Sequence, residues 1–418
     1  MIIKFLSKTP VEKLPPLWNS LRPAGGFKGI TFTFDPDARD YDFLVIYEDL
    51  PPLSGDKKIL RSEKLACPRS NTMLITTEPG SIRLAGPHYL GQFGTVWSSV
   101  PYRKLYTPNR ATILRRGYEK GFRGAFYKES YLDYMKARLK GDVHGIYSFG
   151  LTEAMGSVSL QESLQPPPLR WFYGRDMAGN NHRSLKSISR NKPTKSLDLS
   201  TVTSNKQMAH TGHATRYDFI RGLKSHLGDS FHIFGKGHSP VDDKAEGMDA
   251  YRYHIALENH VQSGHHTEKL NDCFLAGCLP FYCGDPDYDK VYPKDAVIPI
   301  DMRDVKGSVK IIKRAVETDQ YKKRLEALKE AKRIALSVSN PLIASINWAR
   351  TRASHNWRRT PQTHRWEDGV IHGRHAFRRR QPGLALKDAA IVRQTKKYQQ
   401  DLLSPLQFHN KNSGVSDN

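Results

Sequence analysis

Cysteine is scarce in this chain, with four in 418 residues. That excludes a disulfide framework. Cys67 stands alone, and Cys273, Cys278 and Cys283 are five residues apart, unlike the close pairs of zinc sites. Small buried thiols in a reducing compartment are expected. Long apolar runs are also missing: no stretch approaches the roughly 20 residues of a membrane span. The opening MIIKFLSKTPVEKLPP has too short an apolar run for a secretory leader, and Pro10 follows early. The expected protein is cytoplasmic, soluble or peripheral at the inner face of a membrane. Acidic residues are in deficit, 42 against 65 Lys and Arg, for a net charge of +23. An anionic partner fits that balance: nucleic acid, an anionic membrane surface or a phosphorylated ligand. No zinc finger, RNP-like strand or KH loop accompanies the charge. Nor do the 17 histidines fall into an HExxH pattern.

What is present divides the chain. Its length exceeds the size at which one core keeps growing, so two domains are expected. Residues 1–165 read as an α/β domain, with strands at Ile2–Leu6, Ile30–Phe34, Phe43–Tyr47 and Met73–Ile75 and a helix at Ser130–Leu139. A Pro-rich, then polar, linker follows over 166–195. Residues 196–350 read as a second α/β domain. Its strands are expected at Leu197–Thr203, Phe231–Phe234, Tyr251–Leu257, Leu279–Tyr282 and Val297–Ile300, with helices at Arg216–Leu227 and across Ser308–Ser337. Residues 351–418 read as a basic tail, partly disordered. From Arg352 onward, 13 Lys and Arg exceed the five acids by eight. Such a tail suits an anionic bilayer or nucleic acid as well as plain solvent.

The most informative segment is Tyr251–Gly284, YRYHIALENHVQSGHHTEKLNDCFLAGCLPFYCG. Tyr251, Tyr253, Ile255 and Leu257 alternate with Arg252, His254, Ala256 and Glu258, which is strand period. A polar loop, 259–266, leads to Thr267, a helix cap, with Glu268 and Lys269 first in the helix and Gly277 at its end. A strand–loop–helix unit of this kind gathers free backbone N–H groups and a cation where phosphates bind. Lys269 suits a diphosphate and Glu268 suits the two hydroxyls of a ribose. Taken alone, Thr267-Glu268-Lys269 reads first as an ordinary capped surface helix.

Other candidates lie where strands end. Ser204-Asn205 ends a strand and Arg216 opens the next helix, which suits a phosphate fork or a solvated arginine. Glu78 follows Met73–Ile75 and precedes Pro79-Gly80, as a cleft base or a turn residue would. Asp285-Pro286-Asp287 and Asp287-Tyr288-Asp289 match a DxD pattern. No metal is expected there, because Lys269 and Arg216 neutralise a diphosphate without one.

Leu257-Glu258-Asn259, Thr267-Glu268-Lys269, Phe274-Leu275-Ala276-Gly277, Leu279-Pro280 and Gly284 together resemble the signature of family-10 glycosyltransferases, the α-1,3-fucosyltransferases. Upstream, Val202-Thr203-Ser204-Asn205, Arg216-Tyr217-Asp218-Phe219 and Phe234-Gly235-Lys236-Gly237 are similar to that family's strand, helix and turn. The resemblance implies two facing Rossmann-like domains of GT-B type. It implies a GDP-fucose donor on the C-terminal domain, a glycan acceptor on the N-terminal one, and no cofactor. By the same resemblance Arg216 and Lys269 neutralise the diphosphate and Glu268 accepts from the ribose. Asn205, Asn259 and Thr267 line the pocket, and Glu78 is the base of an inverting transfer. His265 stands where relatives often carry a tyrosine beside the guanine. A surface saccharide such as a lipopolysaccharide is the expected acceptor. The alternatives are another nucleotide sugar and, in a different class, a basic nucleic-acid-binding protein.

Overall fold

The computed structural model describes residues 1–8, 21–23, 26–53, 60–80, 82–106, 159–162, 167–169, 171–176, 182–207, 212–354 and 369–398. The N-terminal half holds β1 (Ile2–Ser7), β2 (Thr31–Thr33), β3 (Phe43–Tyr47), β4 (Ser62–Lys64), β5 (Thr72–Thr76), β6 (Thr95–Ser98) and β7 (Ser159–Glu162), with a short helix α1 (Pro87–Leu90). All but β4 form one sheet in the order β2-β1-β3-β5-β6-β7, every pair parallel. Phe43-Leu44-Val45-Ile46-Tyr47 shows why: it is apolar on both faces and wholly buried, as a strand covered on both sides must be. The four strands expected here are all present. The helix expected at Ser130–Leu139 lies outside the described residues.

The second sheet takes β8 (Leu197–Val202), β9 (Phe231–Phe234), β10 (Tyr251–Leu257), β11 (Leu279–Cys283) and β12 (Ile298–Pro299) in the order β9-β8-β10-β11-β12, again all parallel. Between them run α2 (His213–Leu227) and α3 (Glu268–Ala276), then α4 (Val305–Glu317) and α5 (Leu325–Leu336). The helical stretch expected over Ser308–Ser337 starts earlier, at Val305, because Asp304 caps it: its carboxylate accepts from Gly307 N. A six-residue helix, Leu185–Arg190, capped by Ser184, lies inside the stretch expected as a linker.

In each sheet the first strand lies between the second and the third: β1 between β2 and β3, β8 between β9 and β10. Strand order reverses there, and ligands of such folds bind beyond the carboxyl ends of the strands flanking the reversal. The fold thus opens one crevice beyond β1 and β3 and another beyond β8 and β10. Gln262, in the loop after β10, donates its Nε2 to the Ser99 carbonyl just after β6, at 3.4 Å. The two doubly wound domains therefore face each other, a GT-B arrangement.

The chain then returns to the first domain. In α6 (Pro341–Ser354), Trp348 Nε1 and Arg352 Nη2 donate to Thr95 Oγ1 at 3.2 and 2.7 Å, and Trp348 packs edge-on to Phe43. Beyond it, β13 (Val370–His372) pairs antiparallel with β4, followed by α7 (Arg374–Arg380) and α8 (Pro382–Tyr398). Residues 369–398 were expected to belong to a basic, partly disordered tail, and the structure corrects this. Ile371 and Phe377 are buried in one cluster with Leu6, Leu44, Ile46, Leu74 and Val96. They cover the second face of the N-terminal sheet, which a parallel sheet cannot leave bare. Asp388 of α8 accepts from His88 N and Tyr89 N at 2.9 Å each, bonding the first turn of α1. The arginines between these anchors conceal the apolar spacing when only charge is counted. No described helix is long and apolar enough to cross a membrane.

Candidate functional site: the crevice beyond β8 and β10

The crevice is built around one carboxylate. Strand β10 ends at Leu257 and is buried on both faces from Tyr253 on, so the residue that follows it, Glu258, is fully buried as well. A bare carboxylate there is costly and must be satisfied. Thr267 N and Oγ1 donate to it at 2.7–2.8 Å, and Lys269 Nζ lies 3.0 Å away. Lys269 Nζ also reaches Thr267 Oγ1 at 2.8 Å and Glu268 at 3.5 Å. Thr267 caps α3 as expected, accepting from Lys269 N, and Gly277 closes the helix at φ 70°. Burial would lower the Lys269 ammonium, but Glu258 and Glu268 outweigh it and the net shift is upward. Burial would raise Glu268, but Lys269 and Lys244 hold it at about 2. Both groups stay charged across the physiological range.

Arg216 differs from the other cations. It lies in the first turns of α2, is 6% exposed, and among the described residues has only neutral side-chain partners: Asn259 Oδ1 at 2.7 Å and Ser204 Oγ at 3.4 Å. Its Nε is buried with no partner among the described residues. Burial lowers its pKa, against the pull of Glu258 and Glu268. A buried guanidinium without a carboxylate is an unmet demand for an anion. Gly212 lets α2 approach closely enough to hold Asn259: its N–H donates to the Asn259 carbonyl at 2.8 Å, and a Cβ would sit 2.8 Å from that oxygen. Arg216, Lys244, His254, Lys269 and Asp272 line one pocket under the carboxyl ends of β8 and β10.

Lys244, His254 and Asp272 were missed in the sequence as site residues, and Glu258 was read only as a strand end and a signature position. Lys244 and Asp272 form an ion pair at 2.7 Å. Asp272 also accepts from Phe172 N and Tyr173 N of the interdomain segment, tying α3 to the chain that joins the domains. His254 accepts or donates to Ser200 Oγ at 2.8 Å within the same wall.

The expected residues divide. Arg216, Asn259, Thr267, Glu268 and Lys269 converge. Asn205 is exposed on the rim, packed on Gly237, where a Cβ would meet its Nδ2 at 2.4 Å. His265, expected beside a base, is 2% exposed and stands edge-on to His260 at 5.5 Å. Its ring supports the loop and presents no open face to a ligand; the polarity of the loop hid that burial. Asp285 and Asp287 serve the loop, accepting from Gly264 N and Asp287 N, and from Ser263 and Lys290. Glu78 follows β5 in the facing domain, with Lys8 Nζ 3.6 Å from its carboxylate. Its carbonyl accepts from Ser99 Oγ at 3.4 Å, and Ser99 is the residue that Gln262 reaches from the crevice loop.

Two of the buried histidines make the domain acid-labile. Burial, helped by Lys244 and Lys195, lowers His254 to about 3. Burial lowers His260 to about 4, against its bond with Gln262. Each stays neutral when folded, while an unfolded histidine takes up a proton below about 6.5. Stability is therefore full above that value and declines as pH falls below it. The loss at pH 5 is on the order of 2 kcal/mol for each histidine. Urea unfolding at pH 7.5 and pH 5 measures it, and equal midpoints would contradict the neutral assignment.

Two facing doubly wound sheets make a GT-B type of fold, with Arg216 and the capped start of α3 at the second reversal. Residues 192–326 match the family described as Glycosyltransferase family 10 (fucosyltransferase), C-terminal domain. That span contains the motifs on which the resemblance rests. No curated protein matches the sequence. Among solved structures the chain is similar to an α1,3-fucosyltransferase, at 16% identity over 78% of this chain and 81% of that one, TM-score 0.38. It is similar to an α1,3-fucosyltransferase with GDP-fucose, at 15% identity over the same shares, TM-score 0.38. It is also similar to an α-glucosyltransferase in complex with UDP and a 13-mer DNA, at 10% identity over 84% and 99%, TM-score 0.42.

Proposed function

We propose that the protein transfers fucose from GDP-fucose to a glycan hydroxyl in a single inverting displacement. The observation that carries the reading is Arg216, buried beside the start of α3 with only neutral side-chain partners among the described residues. In this reading Arg216 and Lys269 neutralise the diphosphate and Glu268 accepts from the ribose hydroxyls. Thr267 and Asn259 hold those groups in place, and Asn205 closes the rim. Glu78 takes the proton of the acceptor hydroxyl as its oxygen attacks the anomeric carbon. The bond from that carbon to the β-phosphate oxygen breaks, and GDP leaves with its added charge already matched. The chemistry asks for no cofactor.

Calorimetric titration with GDP tests the reading. Wild type is expected to bind GDP more tightly than UDP or ADP, and Arg216→Ala is expected to weaken binding about 10- to 150-fold, the worth of a hydrogen bond to a charged group. Equal affinity in Arg216→Ala would end the reading. Preference for UDP would point to a different nucleotide sugar.

A surface saccharide such as a lipopolysaccharide is the proposed acceptor class, with the enzyme peripheral on an anionic bilayer. Arg378, Arg379 and Arg380 at the end of α7 are exposed, and Leu386 of α8 is 72% exposed. Cations around an exposed apolar side chain suit such a surface. Co-sedimentation with anionic, but not zwitterionic, vesicles is the expected result.

A further inference from the structure

The crevice of the N-terminal domain, beyond β1 and β3, holds a residue that no motif singled out. Glu48 directly follows β3, is 2% exposed, and has φ 72°, in the left-handed region. A residue with a Cβ pays about 1–3 kcal/mol for that conformation and keeps it only where its surroundings hold it. Here they hold it on every side. Glu48 Oε1 accepts from Thr77 N at 2.6 Å and from Thr77 Oγ1 at 2.5 Å. Its Oε2 accepts from Arg83 Nη1 at 2.9 Å, and its carbonyl accepts from Arg83 Nη2 at 2.8 Å. Its own N–H donates to the Ile75 carbonyl at 2.7 Å. Thr77 and Arg83 lie on either side of Glu78, so one buried carboxylate fastens the chain before and after Glu78.

The charges point the same way. Lys8, at the end of β1, lies 3.6 Å from Glu78 and 4.0 Å from Glu48. Behind them Arg83 also reaches Asp49 at 3.7 Å, and Asp49 is paired with Arg374 of α7 at 2.7 Å. Glu78 faces Lys8 alone among these, and its side chain is 35% exposed. Glu48 is therefore the fixed anion of the crevice, and Glu78 is the carboxylate with room to meet a substrate.

We infer that Glu48 is a positioning residue for Glu78: it fixes the chain on both sides of the base through Thr77 and Arg83 and shares Lys8 with it. When Glu78 accepts the acceptor proton and becomes neutral, Lys8 keeps a carboxylate partner in Glu48. The crevice then carries no unpaired cation in the product state. This inference rests on the reading of Glu78 as the base of fucosyl transfer.

The test uses the full chain and GDP-fucose, with water as the acceptor and GDP release as the readout. Glu48→Gln and Thr77→Val are each expected to lower kcat by about tenfold or more, because a small displacement of a reacting group is costly. GDP affinity is expected to stay within about twofold of wild type, since the donor crevice is untouched. Lys8→Met is expected to move the acidic limb of the kcat profile to higher pH, because a cation 3.6 Å from the base is removed. A purely structural role for Glu48 would change the unfolding midpoint but leave kcat and the pH profile alone. An active wild type whose Glu48→Gln and Thr77→Val variants keep its kcat overturns the inference. If Glu48→Gln does not fold, Thr77→Val at the wild-type kcat with Lys8→Met at the wild-type profile overturns it as well. A wild type that binds GDP but releases none from GDP-fucose is a different failure, that of the functional reading, and the inference falls with it.

Discussion

Lys269→Met is expected to weaken GDP binding and unfold the C-terminal domain more easily, and the two losses separate. Among the described residues the lysine is the only ammonium within ion-pair distance of Glu258, which is fully buried. Breaking such a pair from one side costs about 3–5 kcal/mol. The Thr267 N and Oγ1 bonds to Glu258 remain, which places the loss toward the lower end. The affinity loss is about 1.5–3 kcal/mol for a charge-assisted contact to phosphate, or roughly 10- to 150-fold in Kd. Adding Glu258→Gln removes the stranded charge. The double variant is expected to recover most of the stability and none of the affinity. Urea unfolding and GDP titration of the wild type and the two variants read the two effects independently. Affinity restored along with stability would mean that Lys269 acts on the fold alone.

Glu78→Gln is expected to lower kcat by about 10²- to 10⁴-fold, the usual worth of a positioned base. Glutamine keeps the size of the side chain and cannot take a proton. Glu78 lies in the domain opposite the donor crevice, joined to it through Ser99 and Gln262. GDP affinity is therefore expected to be unchanged. Single-turnover release of GDP from GDP-fucose measures the step, and a kcat within a factor of a few of wild type would mean that another group takes the proton. Lys269→Met and Glu78→Gln thus predict opposite patterns: one loses affinity, the other loses turnover.

Features set by neighbours in sequence were the most legible. The span of β10, the Thr267 cap, Glu268 and Lys269 as the first helical residues and the Gly277 stop all appear where periodicity and capping placed them. Each depends on interactions within one or two turns of chain. The alternation of strands and helices likewise carried the two parallel sheets. His265 was misjudged because a run of polar residues says nothing about whether a loop folds inward. The segment 369–398 was misjudged because charge was counted where apolar spacing decided: Ile371 and Phe377 sit among the arginines and are both buried.

By itself, then, the sequence determined most secondary elements and the residues that open α3, because those follow from local geometry and hydrogen bonding. Tertiary structure alone decided which charges meet. Lys244 finds Asp272 across 28 residues, Glu48 finds Thr77 across 29, and Asp388 finds His88 across 300. It also left Arg216 buried without a carboxylate partner among the described residues. Whether a charge is satisfied, shared or left waiting for a ligand depends on distance and burial, and spacing along the chain encodes neither.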